Sequence, residues 1–433
     1  MTKVIKYILI FTIISGCSLK DTTGFWSKEK NLNKENIKLK PIFQKEKKLS
    51  KEFNNNFILK VDPLAIILNE NSHLDNNDGY KKYLGNLKKI SKYSFSKIDN
   101  YDHVEPELIF DENKVIFFDN NGTILNFNHN SKLIWKKNIY SRNEKKLNPL
   151  LSMNKINEKL IVVDNLSNYF ALNINDGEIL WSKNHTAPFN SQIKIYKNLF
   201  FVIDADNNLI CYSIKNGEKI WSFETEKPFI NSLKKLSIVI KDNLVVFNNS
   251  VGDVTALNVQ SGMLEWQVST QNSENFSELI NLKTSDLIIN NDSVYFSNNK
   301  NIFYSLDLKT GSVNWTQKIS SFIRPSIIGD LVLTVSEDGF FFIVEKNSGN
   351  IVRINNIFKQ FKKRKKNNLS PTGFIFNFKE IFVTTNNGKL LIMNLESGSV
   401  KNIIKIDNNK ISKPFVKNNN MYLVKDNSIL KLN

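Results

Sequence analysis

Residues Lys159–Trp181, KLIVVDNLSNYFALNINDGEILW, carry a clear copy of the pattern that sets the architecture. An apolar run, Leu160–Val163, meets a polar turn at Asp164–Asn168. A second run, Tyr169–Leu172, leads to Asn175-Asp176-Gly177 and then to Ile179, Leu180 and Trp181. Short runs of Val, Ile, Phe and Tyr punctuated by Asn, Asp and Gly are strand–turn–strand signals. No sustained helical period runs through this region. The glycine fits a two-residue hairpin loop of the primed type, where φ > 0 is needed and a side chain is a steric burden.

The same closing pattern recurs along the chain. A small residue stands four places before Trp in Ser131–Trp135, Gly177–Trp181, Gly217–Trp221, Gly262–Trp266 and Gly311–Trp315. Two degraded copies follow, Gly349 with Arg353 and Gly398 with Asn402. Successive slots are 38 to 49 residues apart, a spacing that means a repeat architecture. Prolines at 106, 149, 188, 228, 325, 371 and 414 each open a segment before a repeat, as suits the first residue of a strand, where the missing N–H leaves no gap in the ladder. The fifth unit lacks this proline, and its first strand is expected near Asp286–Asn290.

Each unit therefore reads as four strands, and there are eight units. The eighth, Lys413–Asn433, ends one strand short. Ile90–Phe95 resembles a fourth strand, with Tyr93 in the Trp slot. Pairing it with the C-terminal sheet would close the ring and leave no exposed edge there. The expectation is an all-β, eight-bladed β-propeller of four-stranded antiparallel blades over residues 81–433; the alternative, an open solenoid, is usually built from shorter repeats. Trp135, Trp181, Trp221, Trp266 and Trp315 read as wedges between blades. Arg353 and Asn402 in that slot imply looser packing among the last blades.

Residues 1–16 have the form of an export signal: Lys3 and Lys6, the apolar run Tyr7–Ile14, then Ser15-Gly16 before Cys17. The run is shorter than the roughly 20 residues of a spanning helix. The Cys17 context resembles the bacterial lipoprotein box, which implies cleavage before Cys17 and lipidation of its thiol; Ser18 after it favours the outer membrane. Residues 17–80 read as a lipid-anchored tether followed by a segment of no clear type. One further cysteine, Cys211, sits in a strand and reads as a small buried hydrophobe.

The net charge of +17 raises nucleic acid as a partner. The lysines are spread along the chain and the N-terminus is an export signal, so no nucleic-acid partner is expected. One cluster stands apart, Lys362-Lys363-Arg364-Lys365-Lys366. It reads either as a solvated loop or as an attraction to anionic lipid or an acidic surface. His73, His103, His129 and His185 show no paired metal-ligand spacing, and there is neither a phosphate loop nor a nucleophile elbow. Carboxylates such as Asp204, Asp206, Asp253 and Glu337-Asp338 fall in turns, where they cap backbone N–H groups. No catalytic residue, cofactor or metal is expected.

The repeat, best seen in Thr255-Ala256-Leu257-Asn258 to Trp266 and Tyr304-Ser305-Leu306-Asp307 to Trp315, resembles the pyrroloquinoline-quinone-type propeller repeat. Two exported families use it: quinoprotein dehydrogenases and the outer-membrane assembly lipoprotein family BamB. The lipoprotein signal, short tether and chain end on a third strand are similar to the second. Cys211 has no adjacent partner for the Cys-Cys pair of the first. The BamB resemblance implies a non-catalytic scaffold of the β-barrel assembly machinery, held on the inner leaflet of the outer membrane by a lipid anchor and bound to the barrel-assembly (BamA-like) subunit. A quinone-dependent oxidoreductase and a glycan-binding propeller are the alternatives. The family's contact loops correspond to Lys227–Lys235 and Ser277–Asp286, so the resemblance implies partner-binding residues at Glu278, Leu279, Leu282 and Asp286. Thr284 and the basic pair Lys234-Lys235 depart from the family's loops.

Overall fold

Strand Leu151–Ile156 pairs with Lys159–Asp164, that with Asn168–Asn173, and that with Ile179–Asn184, all antiparallel. This four-stranded blade is the quoted stretch with a Pro-led inner strand added. The computed structural model describes residues 48–60, 80–270 and 282–433, all within the unit Lys47–Asn433. Among them are eight such sheets, seven made of consecutive strands. The eighth joins Phe415–Lys417, Asn420–Val424 and Ser428–Leu432 to the N-terminal strand Lys89–Ser94. There Tyr93 stands opposite Ile429, and the ring is closed between its first and last strands. The fifth inner strand is Ile288–Asn290. Cys17, Glu278 and Leu279 lie outside the described residues.

The middle strands of each blade are covered on both faces by neighbouring blades, so they are apolar at nearly every position rather than at every other one. Lys159–Asp164 and Asn168–Asn173 are buried almost throughout, whereas the outer strand Ile179–Asn184 is mostly exposed. Side chains cap the turns between the middle strands. One carboxylate oxygen of Asp164 accepts from the N–H groups of Leu166 and Asn168, both at 2.8 Å. Asp119, Asp204, Asn249 and Asn298 do the same in their blades. This is why carboxylates recur in these turns.

The hairpin before each Trp is longer than the two residues expected. Gly177 N–H donates to Asn173 O and Asn173 N–H to Glu178 O, which makes a four-residue loop closed by Gly177 at φ +77°. A bulge follows: Leu172 pairs with Ile179 but Ala171 with Trp181. The extra residue turns the indole towards the next blade.

The glycine and Trp of one motif serve different joints. Trp135 lies against Gly177 of the following blade, Trp181 against Gly217, Trp221 against Gly262, Trp266 against Gly311 and Trp315 against Gly349. The indole N–H of each donates to a carbonyl of that next hairpin: Ile174, Ile214, Val259, Leu308 and Lys346, at 2.9–3.2 Å. Tyr93 makes the equivalent bond to His129 O, at 3.2 Å.

The last joints are not loose. Arg353 is fully buried. Its guanidinium donates to Leu395 O (3.1 Å), Glu396 O and Phe57 O (2.9 Å), so it takes over the bond that Trp makes elsewhere. Asn402 is exposed. Its joint is filled by Tyr83, which packs with Phe382, Ile392 and Leu423 of the last two blades. The segment from Lys48 to Leu59 forms a strap along the rim. Leu49 N–H donates to Lys318 O, Phe53 exchanges both backbone bonds with Ile354, and Leu59 N–H reaches Glu396 O.

Candidate functional site

The antiparallel order puts two sets of connections at one end of the wheel: the links between blades and the turns between middle strands. At that end the central channel opens into a cavity of about 440 Å³. Its wall is charged. Lys234, from the link between the third and fourth blades, and Asp286, just before the fifth inner strand, form an ion pair with 7 % and 6 % of their surfaces exposed. Gln192 donates to the second Asp286 oxygen at 3.1 Å, and Glu105 lies 3.6 Å from the Lys234 ammonium.

Enclosure alone would raise the Asp286 carboxyl, but the positive charges of Lys234, Arg324 and Lys413 outweigh it and hold it below the usual carboxylate range. Lys234 mirrors this: burial opposes its charge, and Asp286 and Glu105 restore it and raise its pKa. Both members are ionised at neutral pH, and the pair is a fixed dipole in the channel wall. Glu107 is shifted the other way, upward, because enclosure outweighs Lys235 at 3.9 Å and Lys413. Lys410 donates to Asp102 O (2.7 Å) and Val104 O (2.9 Å), which ties the link before the first blade to the one before the eighth.

These placements divide the residues implied by the BamB resemblance. Leu282 is 3 % exposed and Asp286 faces the channel, so neither presents a side chain on the outer surface of its loop. The basic pair that departed from the family pattern also turns inward: Lys234 to Asp286, and Lys235 to Leu151 O at 3.2 Å.

The resemblance pointed to Lys227–Lys235 as a contact loop but singled out no residue at its tip. With Lys234 and Lys235 as roots, its tip carries Phe229 (88 % exposed), Ile230 and Leu233. The tip is braced. Asn190 donates to Ser232 O at 3.1 Å, Ser232 N–H donates to the Ser250 hydroxyl at 3.2 Å, and the Ser232 hydroxyl donates to Lys234 O at 2.9 Å. Three large apolar side chains held in water on a braced loop mark an interaction site more than a random surface. The signal was present as Pro228-Phe229-Ile230 between polar residues, but its direction could not be read until the lysines were placed.

Elsewhere, His185 bridges Asp204 (3.2 Å) and the Tyr212 hydroxyl (3.1 Å) and stacks on Phe189. The cluster ties the second blade to the third.

The profile of the family described as outer membrane protein assembly factor BamB matches residues 120–355. An uncharacterized protein of Rickettsia prowazekii is 25 % identical over 211 residues, covering 46 % of this chain and 51 % of that one. The outer membrane protein assembly factor BamB of Legionella pneumophila is 22 % identical over 155 residues, 35 % of each chain. The chain thus spans about half or less of the length of these curated relatives. The crystal structure of BamB from Moraxella catarrhalis shares the fold, with a TM-score of 0.65 at 16 % identity over 80 % of this chain and 99 % of that one.

Proposed function

The chain belongs to the outer membrane protein assembly factor BamB family, and on that premise we propose that it is a non-catalytic scaffold of the outer-membrane β-barrel assembly machinery. In this reading, lipidated Cys17 holds the wheel on the periplasmic face of the outer membrane. The braced tip Phe229, Ile230 and Leu233 docks on the barrel-assembly subunit. Glu278 and Leu279 extend the same contact from the neighbouring link, and buried Asp286 acts indirectly by fixing the root of the loop through Lys234.

The observation that carries the proposal is that apolar tip, presented by a family member at the end of the wheel where the channel opens. Apolar residues standing clear of the surface are the kind that become hot spots when a partner desolvates them. The channel supports a structural role, since its most buried acid is already neutralised by Lys234. A lipid anchor would raise the effective concentration of the wheel near a membrane-embedded partner, so a modest docking surface suffices.

The test is co-purification of the barrel-assembly subunit with the tagged, lipidated chain from membranes in mild detergent. Phe229→Asp with Leu233→Asp should lower recovery at least tenfold, about 1.4 kcal/mol or more of binding. Unchanged recovery would remove the tip from the interface. Failure of the unmodified chain to retain the subunit would sink the scaffold reading.

A further inference from the structure

The basic cluster Lys362–Lys366 takes no part in the contacts described so far, and its place in the fold gives it a use. It follows the sixth outer strand, Ile351–Asn356, at the channel-mouth end of the wheel. Lys363–Lys366 form a single helical turn. The loop is pinned on both sides: Phe361 and Leu369 are buried, Phe358 meets Phe361 edge-on at 5.8 Å, and the Lys389 ammonium lies 4.5 Å above the Phe361 ring. Lys362, Lys363, Arg364 and Lys365 are exposed. Among the described residues, none of the five cations has a carboxylate within ion-pair distance, although many other lysines do. Among the described residues, these five positive charges are therefore uncompensated, and the buried flanks hold them in a fixed place.

The second observation is where the N-terminal strap begins. Lys48 pairs with Asp338, in the turn between the middle strands of the same sixth blade. Four residues on, Glu52 accepts from Lys359 at 3.2 Å and from the Asn356 N–H at 3.4 Å. Because the strap runs antiparallel to the sixth outer strand, its start lies at the channel-mouth end, beside the basic turn. Lys48, the first described residue on the side of the sequence that leads back to Cys17, is therefore held at that end. Stable membrane attachment takes a second signal beside a lipid chain.

We propose that Lys362–Lys366 is a docking surface for anionic phospholipid headgroups, which turns the channel-mouth end of the sixth blade towards the bilayer that carries the anchor. The inference rests on the lipid-anchor part of the scaffold reading. Each Lys or Arg near an anionic surface is worth about a fivefold change in partitioning, so three engaged at once give about a hundredfold.

The experiment is co-flotation of the chain from Ser18 onward, which keeps every described residue, with phosphatidylglycerol-containing or pure phosphatidylcholine vesicles. A variant carries Gln at Lys362, Lys363, Arg364, Lys365 and Lys366. A control carries Gln at Lys132, Lys215, Lys219, Lys309 and Lys417, at the opposite end of the wheel. The expected result is binding to anionic vesicles only, weakened in about 500 mM salt, lost about a hundredfold in the cluster variant and kept within about threefold in the control. Equal loss in both variants would mean diffuse basicity and overturn the proposal, as would a cluster variant that binds like the original. Co-purification of the barrel-assembly subunit with the cluster variant separates the two readings. Retained subunit with lost vesicle binding supports the lipid assignment, whereas lost subunit with unchanged vesicle binding overturns it in favour of an acidic protein surface. An unmodified chain that binds vesicles without ever retaining the subunit would refute the scaffold and leave the lipid surface standing.

Discussion

Replacing Gly311 by Ala should cost far more in the native chain than in one that lacks the Trp266 ring. Gly311 has φ +73°, and a Cβ there would sit 2.7 Å from Cδ2 and Cε3 of Trp266. The left-handed conformation costs an Ala about 1–2 kcal/mol. The collision adds about 1–3 kcal/mol, since carbon atoms pack comfortably only near 3.5–4 Å. The sum is about 3 kcal/mol. Trp266→Ala should cost about 4 kcal/mol, for it empties a buried joint and takes the indole donor from Leu308 O. In the double variant the collision has vanished and only the backbone strain remains, so the cycle should show about 1.5 kcal/mol of coupling. Gly262 stands four residues from Trp266 in the same motif, but it abuts Trp221. Its Ala variant should therefore add to Trp266→Ala within about 0.5 kcal/mol. Urea midpoints followed by circular dichroism, at unchanged slope, measure both cycles. Additivity for Gly311 with Trp266, or equal coupling for Gly262 with Trp266, would refute the claim that each motif serves two joints.

Asp286→Asn takes the nearer carboxylate from the buried Lys234 ammonium, leaving only Glu105 at 3.6 Å, and should destabilise the wheel by about 3 kcal/mol at pH 7. The folded carboxyl lies below its ordinary value of 3.8, so the stability it contributes is complete above that pH and is lost as pH falls through the folded value. The gap between the original and Asn chains should therefore narrow towards pH 2; a gap that stays constant with pH would contradict the ion pair. Burial pushes the Cys211 thiol up to about 12, so in a Cys17→Ser chain it should resist a thiol reagent at pH 8 until urea unfolds the protein, and rapid native labelling would place it elsewhere. Arg353→Met loses the bonds to Phe57, Leu395 and Glu396. It should cost about 3 kcal/mol, and amide exchange should quicken at Leu49, Phe53 and Leu59; strap amides as protected as before would show that the guanidinium does not hold it.

The wheel was legible because its physics repeats. Eight copies of one pattern average out local ambiguity, and Tyr93 could be assigned to a Trp slot before its partner strand was known. Single events were not legible. Arg353 in an aromatic slot suggested a gap, since nothing local to it announces three carbonyls from Phe57, Leu395 and Glu396. Tyr83 fills the joint beside Asn402 from more than three hundred residues away in sequence, a distance no periodicity bridges. The links between blades carry no period, which is why Leu282 and Asp286 read as loop surface although both are buried. For the same reason the inward turn of Lys234 and Lys235, which root the loop, could not be read from the sequence. The hairpin length was misjudged by two residues because Gly is needed equally in a short primed turn and in a four-residue loop.

The most direct measurement places a photo-crosslinking amino acid at Phe229 in the lipidated chain in cells, with Lys309, at the opposite end of the wheel, as reference, and identifies the adducts by mass spectrometry. The account predicts that irradiation joins position 229, and not 309, to the barrel-assembly subunit. Adducts to that subunit from both ends alike, or none from position 229 while the chain is anchored in the membrane, would contradict it.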